Sequence, residues 1–151
     1  MAQYRAAGLG SNSAFMQAFG NTVTEVDVAT PSAALALNDT IDLVRVAGGT
    51  KLFCLETFNG DLDTGTTLQF KLGYRKANTG DTLTEDDDYF GATLTTWQAA
   101  VLGSARTRWA FTPIDFNVDV YITATVTAAA TGVSGTPSIT TIAQGIARGI
   151  K

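Results

Sequence analysis

A chain of 151 residues is one domain's worth of sequence, able to bury roughly two-thirds of its unfolded surface without a metal or disulfide. Charged residues make up 16 %, below the ~25 % usual in soluble domains, and the net charge is −4 with Lys and Arg scattered, so no nucleic-acid partner is expected. There is no histidine, which removes the commonest general base and most zinc and copper sites, so no catalytic residue is assigned. The single cysteine, Cys54, allows no internal disulfide, and its apolar neighbours Phe53 and Leu55 mark an inert core residue. No apolar run reaches the ~18 residues of a membrane span, and MAQYRAAGLGSNS lacks the basic and apolar regions of a secretory signal. The expectation is a protein made and folded in a cytoplasm.

Residues 1–20 carry Tyr4, Phe15, Met16 and Phe19 among Ala, Gly, Ser and Asn, without strand alternation. They read as an N-terminal arm whose aromatics dock on the body or on a neighbouring subunit, with a loose terminus as the plainer reading. Residues 21–151 read as one β-sandwich domain. Strands are expected near Thr22–Val28, Ile41–Val46, Lys51–Phe58 and Thr66–Tyr74. Ile41 and Leu43 lie in one phase and Val44 and Val46 in the other, which requires a bulge or cover on both faces. Lys51–Phe58 is also apolar in both phases, as a strand buried on both faces would be.

Asp61-x-Asp63-x-Gly65 resembles the start of a calcium loop but lacks a third acidic ligand; a hairpin loop is the simpler explanation. Glu85, Asp86, Asp87 and Asp88 are the densest charge in the chain, fit for a solvated loop, for calcium, or for a basic patch on a partner. No cofactor is expected. In 93–102, Leu94, Trp97 and Val101 have helical spacing and Gly103 stands at a C-cap position, so a short helix in a long loop is expected. Thr107–Thr112 returns to strand, with Trp109 inward.

Val118–Thr127, VDVYITATVT, alternates strictly. One face is Val118, Val120, Ile122, Ala124 and Val126; the other carries Thr123, Thr125 and Thr127 with almost no charge. It reads as a central strand with a dry face that needs a second layer. Ile139–Ala143 is the last full strand. About seven or eight strands with one short helix make an all-β, antiparallel sandwich of jelly-roll type.

The order of features resembles a family. IDLVRVAGGTKLFCLETF, then TTLQFKLGYRKA, then EDDDYFGATL, then YITATVT followed by a small-residue loop and a closing strand are similar to small jelly-roll structural proteins of tailed bacteriophages, in particular capsid cement or decoration proteins. The likeness runs roughly from Thr22 to Ile150. It implies a non-enzymatic virion protein on the capsid surface, made in the host cytoplasm. Such a protein binds the major capsid protein, bridges neighbouring subunits and works as a homo-oligomer, trimer or dimer, with no nucleic-acid or membrane partner. Its expected contacts are Tyr4, Phe15, Met16, Phe19 and the sheet edges. The alternatives are a head-fibre base or tail component of the same fold, and a carbohydrate-binding jelly roll with exposed aromatics.

Overall fold

The computed structural model describes residues 3–5, 15–16, 22–98, 106–133 and 135–148. Its strands are β1 (Gln3–Arg5), β2 (Phe15–Met16), β3 (Thr22–Ala29), β4 (Thr40–Val46), β5 (Thr50–Asn59), β6 (Gln69–Lys76), β7 (Asp86–Leu94), β8 (Arg106–Arg108), β9 (Ile114–Phe116), β10 (Val120–Ala128) and β11 (Ile139–Ala147). They form two sheets, ordered β1-β4-β10-β6-β7 and β2-β3-β11-β5-β8, with β9 also on β5. Every pairing is antiparallel except β1 with β4.

The pairings are nested. β3 pairs with β11, β4 with β10, β5 with β8 and β9, and β6 with β7. β10 also pairs with β6, and β11 with β5, which joins the ribbon into two sheets. β4 and β5 lie in different sheets although only three residues separate them. Gly49, at φ 82°, takes the left-handed conformation that this corner requires.

β10 is the middle strand of its sheet, as the alternation requires. Val120, Ile122, Ala124 and Val126 are buried and meet Leu52, Leu55, Ile139 and Ala143 from the other sheet in one core. Phe70 stacks on Trp97 at 3.8 Å between ring centroids, and Trp109 stands edge-on to Phe70 at 6.3 Å. Tyr74 packs edge-on against Phe116, and Tyr89, Phe90 and Phe111 form a further edge-to-face group. These rings pack between β7 of one sheet and the β8–β9 segment of the other.

Two phase breaks resolve as bulges. Val44 pairs with Ile122 and Asp42 with Thr123, so Leu43 is the extra residue. Gln144 pairs with Cys54 and Gly145 with Leu52, so Phe53 is extra and turns outward. Lys51–Phe58 is therefore apolar in both phases because the phase changes within it. Cys54 is buried but stands outside the core cluster; it shares the outer side of the sheet with Glu56, to which its Sγ donates at 3.7 Å.

The helix expected over 93–102 does not form among the described residues. Thr93 and Leu94 end β7, with Leu94 paired to Phe70, and the Gln98 amide closes a turn on the Thr95 carbonyl at 3.1 Å. Residues 99–102 lie outside the described set. Three β-branched threonines in four positions favour extended backbone here, and Trp97 reaches the core from a turn. Of the strand expected at Thr107–Thr112 only the start forms, in β8; residues 109–113 are not strand, and a separate short strand, β9, follows Pro113, the two pairing with opposite halves of β5. β7 itself begins within the acidic run that reads as a loop.

β7 crosses β6 closely at Gly73. A Cβ there would run into the Asp86 carbonyl oxygen and the Asp87 backbone. Gly73→Ala is expected to cost about 2 kcal/mol by forcing the two strands apart, since backbone cannot yield as a side-chain tip can. A urea-melt midpoint equal to that of the unmodified chain would contradict this.

Candidate interaction surfaces

The outer face of the β10 sheet is built around one carboxylate. Asp42 is fully buried on β4 although it points away from the core. Arg75, from β6, donates Nε to Oδ1 at 2.9 Å and an Nη to Oδ2 at 2.6 Å. Thr123 Oγ1 of β10 donates to Oδ1 at 3.1 Å, and Gln3 Nε2 of β1 to Oδ2 at 3.0 Å. One side chain thus ties four strands together. The Arg75 guanidinium also lies over the Tyr121 ring, 4.8 Å from its centroid.

Beside this group Arg45 pairs with Asp119, whose other oxygen accepts the Gly48 amide at 2.7 Å. Burial pushes the Asp119 carboxyl up, but the Gly48 amide and Arg45 outweigh it and hold it below its ordinary value. Lys71 pairs with Asp87. The uncharged threonine row of β10 is therefore flanked by charge from β4 and β6, and Thr123 is itself buried. Sequence reading missed this network. Its only local sign is Asp42 and Arg45 interrupting an apolar run.

The outer face of the other sheet is different. Val26 (51 %), Val28 (38 %), Phe53 (39 %) and Ile146 (39 %) are four of the five exposed large hydrophobics among the described residues. Val26 stands opposite Ile142, and Ile142 opposite Glu56; Val28 stands opposite Thr140, and Thr140 opposite Phe58. The apolar surface thus runs across β3, β11 and β5. Its β5 flank is charged: Glu56 is bonded by Arg106, and Asp115 faces Lys51 and Arg148. Contiguous apolar surface of this kind marks a contact site more often than an idle face.

The sheet edges are poorly suited to strand addition. β1, β8 and β9 have three residues each and β2 has two. β7 is longer, but its register shifts twice and it begins Asp86-Asp87-Asp88. Short, bulged and charged edges resist pairing with another chain.

The acidic candidates separate. Asp63 is almost fully buried and its oxygens face N–H donors: Gly65 at 3.0 Å and Thr131 at 2.7 Å on Oδ1, Thr67 at 2.8 Å and Leu68 at 2.7 Å on Oδ2. Burial raises this carboxyl, and the four amides more than reverse that, so it sits far below the usual carboxylate range. Asp61 accepts the Asp63 amide at 3.2 Å. Glu85 accepts the Lys76 amide at 3.1 Å and Asp86 the Asp88 amide at 3.3 Å. Hydrogen bonding to Asp86 pushes the Asp88 carboxyl up, and the acidic neighbours add to it. An open groove of about 490 Å³ is lined by Tyr74, Thr84, Glu85, Asp86 and Asp87. Among the described residues no three His, Cys, Asp or Glu side chains converge as a metal set.

Of the expected arm contacts, the backbones of Tyr4, Phe15 and Met16 lie in β1 and β2, with Tyr4 opposite Ile41, Phe15 opposite Thr24 and Met16 opposite Val23. Phe19 lies outside the described residues. Trp97 and Trp109 are both buried, which counts heavily against a sugar-binding platform built on them.

No family model and no curated protein matches the sequence. Solved structures of similar fold include a chain in the capsid of Ralstonia phage GP4, 18 % identical with a TM-score of 0.71, covering 99 % of this chain and 100 % of that one. A chain in the capsid asymmetric unit of cyanophage Pam1 is 15 % identical with a TM-score of 0.61, over 86 % of this chain and 88 % of that one. At such identities the likeness is one of fold.

Proposed function

We propose that this chain is a non-enzymatic structural protein of a tailed-phage virion, which binds the outside of the capsid and bridges neighbouring subunits of the major capsid protein as a homo-oligomer. The observation that carries this reading is the fold shared over nearly the whole chain with chains of two phage capsids. The nested pairings β3–β11, β4–β10, β5–β8/β9 and β6–β7 support a jelly roll, in which one long antiparallel ribbon is rolled into two sheets. The division into an arm, residues 1–20, and a sandwich, 21–151, belongs to the same reading, with Tyr4, Phe15, Met16 and Phe19 as contacts of the arm. An outer sheet face on which Val26, Val28, Phe53 and Ile146 are exposed supports function by surface burial. Many modest contacts across a lattice then give avidity without one strong site. Its place would be the virion surface, after synthesis in the host cytoplasm.

The test is co-sedimentation of the purified protein with shells of its phage's major capsid protein that lack it. Saturable binding, with density on the outer shell surface by cryo-electron microscopy, is expected. No binding to shells would overturn the reading. Density at a fibre base or on the tail would replace it with the head-fibre or tail assignment.

A further inference from the structure

We propose that the groove beside the start of β7 is a binding site for a guanidinium group, the side chain of an arginine on a neighbouring protein. The site stands apart from the virion reading, since it rests on the chemistry of this chain alone.

Tyr74 and Asp86 stand opposite each other on β6 and β7, and with Thr84, Glu85 and Asp87 they line an open space of about 490 Å³. Tyr74 is only 8 % exposed, with the rings of Tyr89 at 5.6 Å and Phe116 at 5.0 Å set edge-on to it. Its hydroxyl makes no hydrogen bond among the described residues, although a tyrosine buried this deeply usually finds a partner. The neighbouring Tyr89 shows the ordinary outcome: its hydroxyl donates to the Thr112 carbonyl oxygen at 2.8 Å. Burial pushes the Tyr74 phenol up, and the charge of Asp86 adds to this. The orphan hydroxyl therefore belongs to the groove, beside that carboxylate.

The rim is acidic and only partly answered within the chain. Lys71 pairs with Asp87, and Lys76 Nζ donates to the Asp81 carbonyl oxygen at 3.2 Å. Glu85 accepts the Lys76 amide and Asp86 the Asp88 amide, both from the backbone. Neither Glu85 nor Asp86 has an ion pair among the described residues.

What these groups lack sets the ligand. Ionised carboxylates only accept, and a phenol accepts as well as donates, so the missing partner is a positively charged donor. Calcium takes about six to eight oxygens at about 2.3–2.6 Å, and among the described residues no three acidic side chains converge on a metal. A guanidinium is planar, weakly hydrated and rich in donors, so it bridges acceptors set too far apart for a metal. Glu85 and Asp87 are exposed, so water screens them and a lone arginine binds at about millimolar concentration. Two sources supply such a group: an arginine of a different protein, or Arg108 of a second copy. Arg108 is exposed and has no carboxylate partner among the described residues.

The experiment titrates the full chain with Nα-acetyl-argininamide, whose single charge is the guanidinium, at constant ionic strength, followed by amide NMR. Saturable shifts centred on Tyr74 and residues 84–87 are expected. Asp86→Asn is expected to weaken binding at least about tenfold, which corresponds to about 1.4 kcal/mol. Tyr74→Phe keeps the ring and loses only the hydroxyl; about fivefold weakening is expected. Asp61→Asn makes the same charge change at the opposite end of β6, and is expected to have no effect. Circular dichroism melts check that each variant folds. No saturable shift, or shifts spread over the whole surface, overturns the inference. Equal weakening by Asp61→Asn, which would reduce binding to net charge, overturns it as well, and so does unchanged affinity in Tyr74→Phe. Calcium chloride moving the same amides at lower concentration than the arginine probe would make this a metal site instead. Sedimentation velocity in parallel identifies the source. Self-association weakened by both Asp86→Asn and Arg108→Ala assigns the guanidinium to a second copy; arginine binding by a chain that stays monomeric assigns it to a different protein. Arginine binding by a chain that ignores capsid shells leaves the site standing and removes the virion reading alone.

Discussion

Asp63→Ala is expected to lower the melting temperature by about 10–15 °C, from a loss of about 4–5 kcal/mol in a chain of this size. The carboxylate accepts the amides of Gly65, Thr67 and Leu68 within its own loop, and of Thr131 from the loop between β10 and β11. Hydrogen bonds to a charged acceptor contribute about 1.5–3 kcal/mol each, and a buried donor left without one costs about 1–3 kcal/mol. The sum is discounted because Thr67 and Thr131 are exposed and water reaches their amides. Asp63→Asn retains one acceptor oxygen and is expected to fall between the two.

The same site gives an acid dependence. The carboxyl of Asp63 is depressed in the folded state, so its contribution is complete above the unfolded value of about 3.9 and is lost as pH falls from there toward the folded value. Urea midpoints of the unmodified chain are therefore expected to drop steeply below about pH 4, and those of Asp63→Asn to drop less. Parallel curves for the two proteins would refute the assignment.

The second large effect is expected at Arg75. Arg75→Ala leaves the fully buried Asp42 carboxylate without its guanidinium partner, with Gln3 and Thr123 as its side-chain donors among the described residues. Removing one partner of a buried pair costs about 3–5 kcal/mol; about 3 is expected here, because 29 % of the Arg75 side chain already meets water. The double variant Asp42→Ala/Arg75→Ala is expected to be no less stable than Arg75→Ala alone, since the stranded charge is gone. Strict additivity of the two single variants in a thermodynamic cycle would show that the pair is not coupled.

These two residues also mark where the sequence is legible and where it is not. Asp61-x-Asp63-x-Gly65 announces a tight loop, but the hairpin reading fails: the loop carries the chain from β5 to β6, which lie in different sheets and do not pair. That Asp63 also holds Thr131 depends on a residue 68 positions away. Asp42 was invisible as a centre, because Arg75, Thr123 and Gln3 come from three other strands. Leu94 and Trp97 have helical spacing, but both serve a β core: Leu94 through its pairing with Phe70, Trp97 by stacking on that ring. β7 was obscured by Glu85–Asp88, whose carboxylates have low strand propensity and are tolerated because β7 is an edge.

By itself the sequence determined that this protein is built of strands and that β10 is central, because a strict two-residue period puts all apolar residues of VDVYITATVT on one face. It also determined that no histidine chemistry is available. Only the tertiary structure decided what the second face of each sheet does. Pairing partners come from distant parts of the chain, so a strand's outer residues acquire their neighbours only when the sheet assembles. On β10 the threonines gained Asp42, Arg45 and Arg75 beside them and became part of an internally satisfied polar face. On β11 Ile142 and Ile146 gained Val26 and Phe53 and became part of an apolar one.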